Sequence, residues 1–460
     1  MTSPTTHRDR PARPGRRSHR NRGVLRHAAA LGAGTLAVTL LAACGSGGSS
    51  GDTTSSGPVT ITFWGWAKGT QDVVNAFNAS HKDVQVSYQQ IPSGVAGGYA
   101  KISDATKAGN APDLFNVEYG ELPDFVSQGA VQDITKLVSA DLKGKYLPQS
   151  VEQTTLGGSV WALPLDAAPQ ALFYRKDLFA QAGITAPPTT WDEYKADAQK
   201  LKAAEPNTRI GTFFPDDPST FEALAWQNQA HWFTGVGDTW NVAISSDPTK
   251  RVTDYWQQLI TDDLVRVQPS FSQQWTASLQ KGETAAYLGA AWGGGVLQST
   301  LASTPDAAGK WAVAPIPSWD GKAAGGMLGG STFAVSKGSK KAKAALEFAT
   351  WATTTPEGIQ ARITSGASSM FPADPELLPT AKAAFKTDFY GGQDIYSVFT
   401  DASKAINPGW QWGPVMGVTN NAMKDAFGKL GSGGTIQSAV DAAQQATVSE
   451  LKNRGLKVSQ

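Results

Sequence analysis

Few residue types in this chain could carry covalent chemistry. Beyond an arginine-rich start the only histidines are His81 and His231, and Cys44 is the sole cysteine. Ser-His-Asp catalysis and histidine-rich metal sites are therefore poorly supported, and an intramolecular disulfide or cysteine-based metal cluster is excluded. A Gly-x-Ser-x-Gly elbow is absent, and Gly329-Gly330-Ser331-Thr332 lacks the lysine of a phosphate-cradling loop. No cofactor is expected. Carboxylates leave one catalytic option, because Glu118, Asp166 and Asp217 could supply the pair that glycoside hydrolysis needs. Such a pair stands about 5 Å apart for retention or roughly 6.5–9.5 Å for inversion, a distance that sequence separation does not fix.

Aromatic side chains give the stronger signal. The chain holds 15 Trp, several where loops leave strands. Sugars present apolar C–H faces that stack on indole and hydroxyl rims that need polar partners, so a sugar cleft wants Trp and Tyr beside Asp, Glu, Asn and Gln. Trp66 follows a first strand, Glu118-Tyr119 a third, Asp166 and Gln170 flank a polar joint, and Trp292 ends a later strand. Trp226 lies with Gln227-Asn228 at the end of a helical stretch, and Trp410 and Trp412 sit in the loop INPGWQWGP, which has neither helical nor strand periodicity. Trp66, Glu118, Tyr119, Asp166, Gln170, Trp226, Asn228, Trp292, Trp410 and Trp412 are the candidate ligand contacts. Trp161, Trp191, Trp256, Trp311 and Trp351 fit core or helix packing instead. The alternatives are a secreted hydrolase using Glu118 and Asp166, or capture of another solute such as a polyamine.

These side chains need elements to hold them. Val59 to Trp66 alternates as a strand, Thr70 caps a helix with Val73, Val74 and Phe77 on one face, and Val84, Val86 and Tyr88 alternate again, giving a β-α-β opening. A helix from Tyr99 stops at Gly109, and Leu114 to Val117 is a short buried strand whose C-terminal end carries Glu118, the position where open α/β sheets bind ligands. Val160–Leu165 and Gln170–Arg175 read as two strands around the joint; a helix closed at Gly183 follows, then Pro187-Pro188 and a helix capped by Thr190. Further helices are expected over Phe221–Ala230, Val252–Ile260, Lys340–Thr353 and Thr435–Leu451, with strands ending at Trp292 and around Trp311–Pro317. Length demands two lobes, and the strand-helix alternation makes both α/β.

The overall charge of +1 hides an asymmetry. Residues 1–43 hold eight Arg and one Asp, leaving 32 basic and 38 acidic residues, a net of −6, which argues against a nucleic-acid partner. The basic start and the apolar run Ala28 to Ala42 read as a secretory signal, too short to span a bilayer. Arg16-Arg17 lacks the hydrophobic pair a twin-arginine signal would place after it. Leu41-Ala42-Ala43-Cys44 is similar to the bacterial lipobox, in which the cysteine becomes the lipid-bearing first residue, and residues 44–57, GSGGSSGDTTSSG after Cys44, read as a flexible tether.

The joint and its flanks resemble the family 1 extracellular solute-binding proteins, the sugar-binding components of ABC importers. The matching residues are Gly158, Leu163-Pro164, Phe173-Tyr174-Arg175-Lys176-Asp177-Leu178-Phe179, Ala182-Gly183-Ile184 and Pro188-Thr189-Thr190-Trp191-Asp192-Glu193, with Arg175 where the family commonly has Asn. AGNAPDLF (108–115), SQGAVQDIT (127–135), KGETAAYLGAAW (281–292) and the glycine pair of MLGGSTFAV (327–335) are similar to further family segments. The resemblance implies two discontinuous α/β lobes of the type II periplasmic-binding-protein kind, 58–166 plus 314–354 and 167–313 plus 355–460. Hinge crossings would lie near Asp166, Ala314 and Thr355. It also implies a sugar ligand in the cleft, with Trp292 stacking and Gly330 close by, a permease partner, a lipid anchor at the outer face of the membrane, and a monomer.

Overall fold

Alternation of apolar side chains places Ile61 and Phe63 of strand Val59–Gly65 in a fully buried layer, and the strand is flanked in parallel register by Val84–Gln90 and by Leu114–Glu118. The coordinates are a computed structural model that describes residues 57–459. The first sheet runs in the order Val84–Gln90, Val59–Gly65, Leu114–Glu118, Ser331–Val335, Ala162–Pro164, the last two strands arriving from far along the chain and the fourth running antiparallel to both neighbours. Leu114 to Val117 is buried on both faces, including the polar Asn116, whose amide donates to the Thr332 carbonyl across the sheet. Helices Thr70–Ser80 and Ala342–Thr354 cover one face through Val73, Phe77 and Phe348, and helices Gly98–Lys107 and Leu122–Ser127 cover the other through Ile102, Leu122 and Phe125.

A second sheet is built around Gln170–Arg175, with Ala286–Ala290 and Trp311–Pro315 antiparallel on either side. It is extended by the parallel pair Gly211–Phe213 and Val265–Val267 through a parallel bridge between Arg209 and Thr284. Helix Trp191–Ala204 packs here, started by a capping box in which the Thr190 hydroxyl accepts from the Glu193 N–H and the Glu193 carboxylate accepts from the Thr190 N–H. Arg175 forms a bidentate pair with Asp177 at 2.7 Å, tying the strand end to the first turn of helix Lys176–Gln181. Thr70 proves to be the first helical residue rather than the cap: Gly69 occupies the N-cap, and the Thr70 hydroxyl donates to the Ala67 carbonyl.

The chain passes between the sheets along three segments that lie side by side. Asp166–Ala167 pairs antiparallel with Phe371–Pro372, and Pro169 bridges Met327. The Leu328 N–H donates to the Ala168 carbonyl and the Leu165 N–H to the Ser331 carbonyl. The elements beside the later crossings each keep to one sheet. Strand Trp311–Pro315 lies wholly in the second sheet. Helix Pro356–Ile363 packs against Thr70–Ser80, where the Arg362 guanidinium donates to the Lys68 carbonyl and the Thr70 hydroxyl. Among the described residues no helix is long and apolar enough to cross a membrane. The signal, Cys44 and nearly all of the tether lie outside them.

Candidate ligand-binding site

The strand ends of both sheets face a cavity of about 510 Å³. From the first sheet come Trp66 and Lys68 after the first strand, Ser93 to Ala96 after the second, and Glu118 at the end of the third. From the second come Asp216 and Asp217 after Gly211–Phe213, Ser270 and Phe271 after Val265–Val267, and Trp292 after Ala286–Ala290. The crossings supply Asp166, Gly329, Gly330 and Met370, and helices contribute Arg362 and Lys424. This is the carboxyl-end placement that open α/β sheets use for ligands, here doubled.

The wall carboxyls Glu118 and Asp166 are held from behind. Glu118 accepts from the Tyr99 hydroxyl at 2.7 Å, and burial pushes its carboxyl up to about 7. Asp166 accepts from the Ser331 N–H at 2.7 Å, and burial likewise raises it to about 7, against the pull of that hydrogen bond and of Arg362. Arg362 is 1% exposed and drawn down to about 10 by burial; its Nε and Nη2 have no protein hydrogen-bond partner. The Trp292 indole N–H donates to the Leu328 carbonyl, fixing the ring to the second crossing. Gly329 and Gly330 have φ of +67° and +87°, and a Cβ at Gly330 would stand 2.9 Å from the Tyr119 ring. The glycine pair is thus required by backbone conformation and by close approach.

Five sequence candidates, Trp66, Glu118, Asp166, Trp292 and Gly330, line the cavity. The other six do not. Tyr119 and Gln170 serve the crossings: the Tyr119 hydroxyl donates to the Asp166 carbonyl, and the Gln170 amide oxygen accepts from the Gly326 N–H. Trp226, Trp410 and Trp412 fill core. Trp226 stacks on Trp410 at 5.2 Å with planes 6° apart, Trp412 meets both rings edge-on, and the Trp226 N–H donates to Asn407. Loop position therefore does not imply exposure here: the INPGWQWGP segment lacks periodicity yet is folded inward by that stack. Asn228 donates to the Pro248 carbonyl. Lys68, Asp216, Phe271, Arg362, Met370 and Lys424 also line the wall, beyond the contacts expected from sequence. The Asp216-Asp217 pair directly after a strand was a usable signal, whereas Phe271 and Lys424 had none.

Groups that could support metal chemistry are scarce; among the described residues no set of three or more His, Cys, Asp or Glu side chains is arranged to hold a metal ion.

Residues 65–359 match the family model described as bacterial extracellular solute-binding protein. The chain belongs to that family. Solved members share its architecture of two α/β lobes. The ABC transporter associated binding protein from B. animalis subsp. lactis, solved with β-1,6-galactobiose, superposes with a TM-score of 0.78 at 27% identity, covering 88% of this chain and all of that one. The galacto-N-biose/lacto-N-biose I-binding protein from Bifidobacterium longum, solved with lacto-N-biose, gives 0.77 at 28% identity over 88% and 100%. A binding protein of Brucella abortus is 34% identical over 133 residues, which are 29% of this chain and 32% of that protein, so this match spans about a third of the relative's length.

Proposed function

We propose that this solute-binding protein captures a short oligosaccharide, of disaccharide size, between its lobes and presents it to the permease of an ABC importer. One observation carries the reading. Three aromatic side chains, Trp66 from one lobe and Phe271 and Trp292 from the other, border a single cavity whose polar wall includes Glu118, Asp166 and Asp217. Apolar rings interleaved with fixed acceptors suit the C–H faces and hydroxyl rims of a sugar. The solved relatives bind β-1,6-galactobiose and lacto-N-biose, which supports a disaccharide. Contacts from both lobes favour the closed form, and only such differential affinity shifts a hinge equilibrium.

The lobes meet at the three crossings, with the first lobe keeping 331–363 and the second keeping 170–315. Four wall carboxylates, Glu118, Asp166, Asp216 and Asp217, are nearly balanced by Lys68, Arg362 and Lys424, which disfavours a polyamine. The protein is a receptor with no catalytic step, a reading supported by its family and by solved relatives that are binding proteins. Cys44 anchors a monomer to the outer face of the membrane through the lipobox-like segment.

A melting-temperature screen tests the reading. Lactose, β-1,6-galactobiose, lacto-N-biose and maltotriose are compared with spermidine, with aryl glycosides assayed in parallel. At least one sugar is expected to raise the melting temperature by several degrees, with spermidine inert and no glycoside turned over. Stabilisation by spermidine alone, or turnover lost on Glu118→Gln, would contradict it.

A further inference from the structure

We infer that Phe271 is a ligand-stacking wall of this cavity and that Asp216 is the residue that positions it; the inference rests on the sugar-binding reading above. Phe271 is the bulkiest of the three non-glycine residues at positive φ among the described residues, at φ 50°. The left-handed region is unfavourable for a side chain of this size, and such conformations persist only where the surroundings over-determine them. Here the surroundings are specific. Asp216 accepts from the Ser270 N–H at 2.7 Å through one carboxylate oxygen and from the Ser270 hydroxyl at 3.1 Å through the other. On the far side Ser272 caps helix Gln273–Gln280, its hydroxyl accepting from the Trp275 N–H at 3.1 Å. Phe271 is held between two fastened serines.

What the strained backbone achieves is presentation. Phe271 remains 44% exposed and lines the cavity, in a protein whose other Phe side chains in this lobe are buried or packed. Its ring stands edge-on to Trp275 at 5.4 Å and to Trp292 at 6.1 Å with planes 61° apart, and tilts against Phe214 at 6.0 Å. Phe271 and Trp292 thus form an aromatic corner, two faces at an angle, suited to two apolar surfaces of one bound saccharide. Asp216 also lines the cavity, but both of its oxygens are engaged by Ser270, so its effect on the ligand passes through the loop.

Isothermal titration of β-1,6-galactobiose, lacto-N-biose and lactose into the wild type, Phe271→Ala, Phe271→Trp, Asp216→Ala, Asp216→Asn and the Phe271→Ala/Asp216→Ala double variant tests this. Unliganded melting temperatures verify that each variant is folded. Phe271→Ala is expected to weaken the disaccharide that the wild type binds by tenfold or more, Phe271→Trp to retain it, and Asp216→Asn to lose less than Asp216→Ala. In the Phe271→Ala background, Asp216→Ala should cost no more than a further twofold. Wild-type binding that survives Phe271→Ala within twofold would overturn the stacking role alone, and losses that multiply in the double variant would overturn the positioning role. No binding of any of the three sugars by the wild type would remove the sugar reading and this inference together.

Discussion

Glu222 shows how far burial governs the single residues behind this cavity. It is 3% exposed, its Oε1 has no protein partner, and burial, reinforced by Glu121, Asp217 and Glu118, holds its carboxyl well above the usual range. Burial also lifts Glu121 to about 8. An acid whose folded pKa exceeds its unfolded value binds protons more tightly when native, so stability is greatest below the unfolded pKa and declines as pH rises through the folded one. The wild type should therefore lose stability between pH 5 and 8. Glu222→Gln should raise stability at pH 8, where the unfolded acid is ionised and the buried one resists ionisation, and give little gain near pH 4.5. Thermal melts of both proteins at the two pH values check this; an equal difference at both would contradict it. Residue identity was legible in the sequence where a side chain sits directly at a strand end, as Trp66, Glu118 and Trp292 do. It was illegible where the wall comes from a distant helix, as for Arg362 and Lys424, or where a loop Trp turns inward, as Trp410 does.

At the level of elements, local signals were read well because they are local. Helix Trp191–Ala204 starts where Thr190 and Glu193 close a capping box, and both partners are visible three residues apart in the sequence. Thr190→Ala should cost about 1 kcal/mol through the lost cap, seen as a lower urea midpoint with unchanged slope; no change in the midpoint would mean that the box is redundant with the Ser318 contact to Trp191. Boundaries set by tertiary pairing were less accessible. Helix Pro356–Ile363 has nothing in its own residues to say that Arg362 reaches Lys68 and Thr70, a long-range tie that holds it against the first sheet's helix Thr70–Ser80. Similarly, Trp311–Pro315 pairs with Gln170–Arg175 in a register that local pattern does not encode.

For the whole molecule, length and strand-helix alternation required two α/β lobes, and the motif around Asp166 indicated how they are joined. The finished fold adds that Asp166–Ala167, Pro169, Met327 and Phe371–Pro372 run together as one strap, with Asp166 both pairing in it and facing the cavity. A ligand touching Asp166 would thus bear on the hinge itself, while Trp66 and Trp292 grip from opposite sides. Sugar binding at this strap is the proposed function. Its most direct test is titration of β-1,6-galactobiose and lacto-N-biose into the wild type and Trp292→Ala by calorimetry. Saturable one-to-one binding of a disaccharide is predicted for the wild type, weakened at least tenfold in Trp292→Ala, equivalent to about 1.4 kcal/mol, with the unliganded variant still melting cooperatively. Undiminished binding by Trp292→Ala, or none by the wild type, would contradict it.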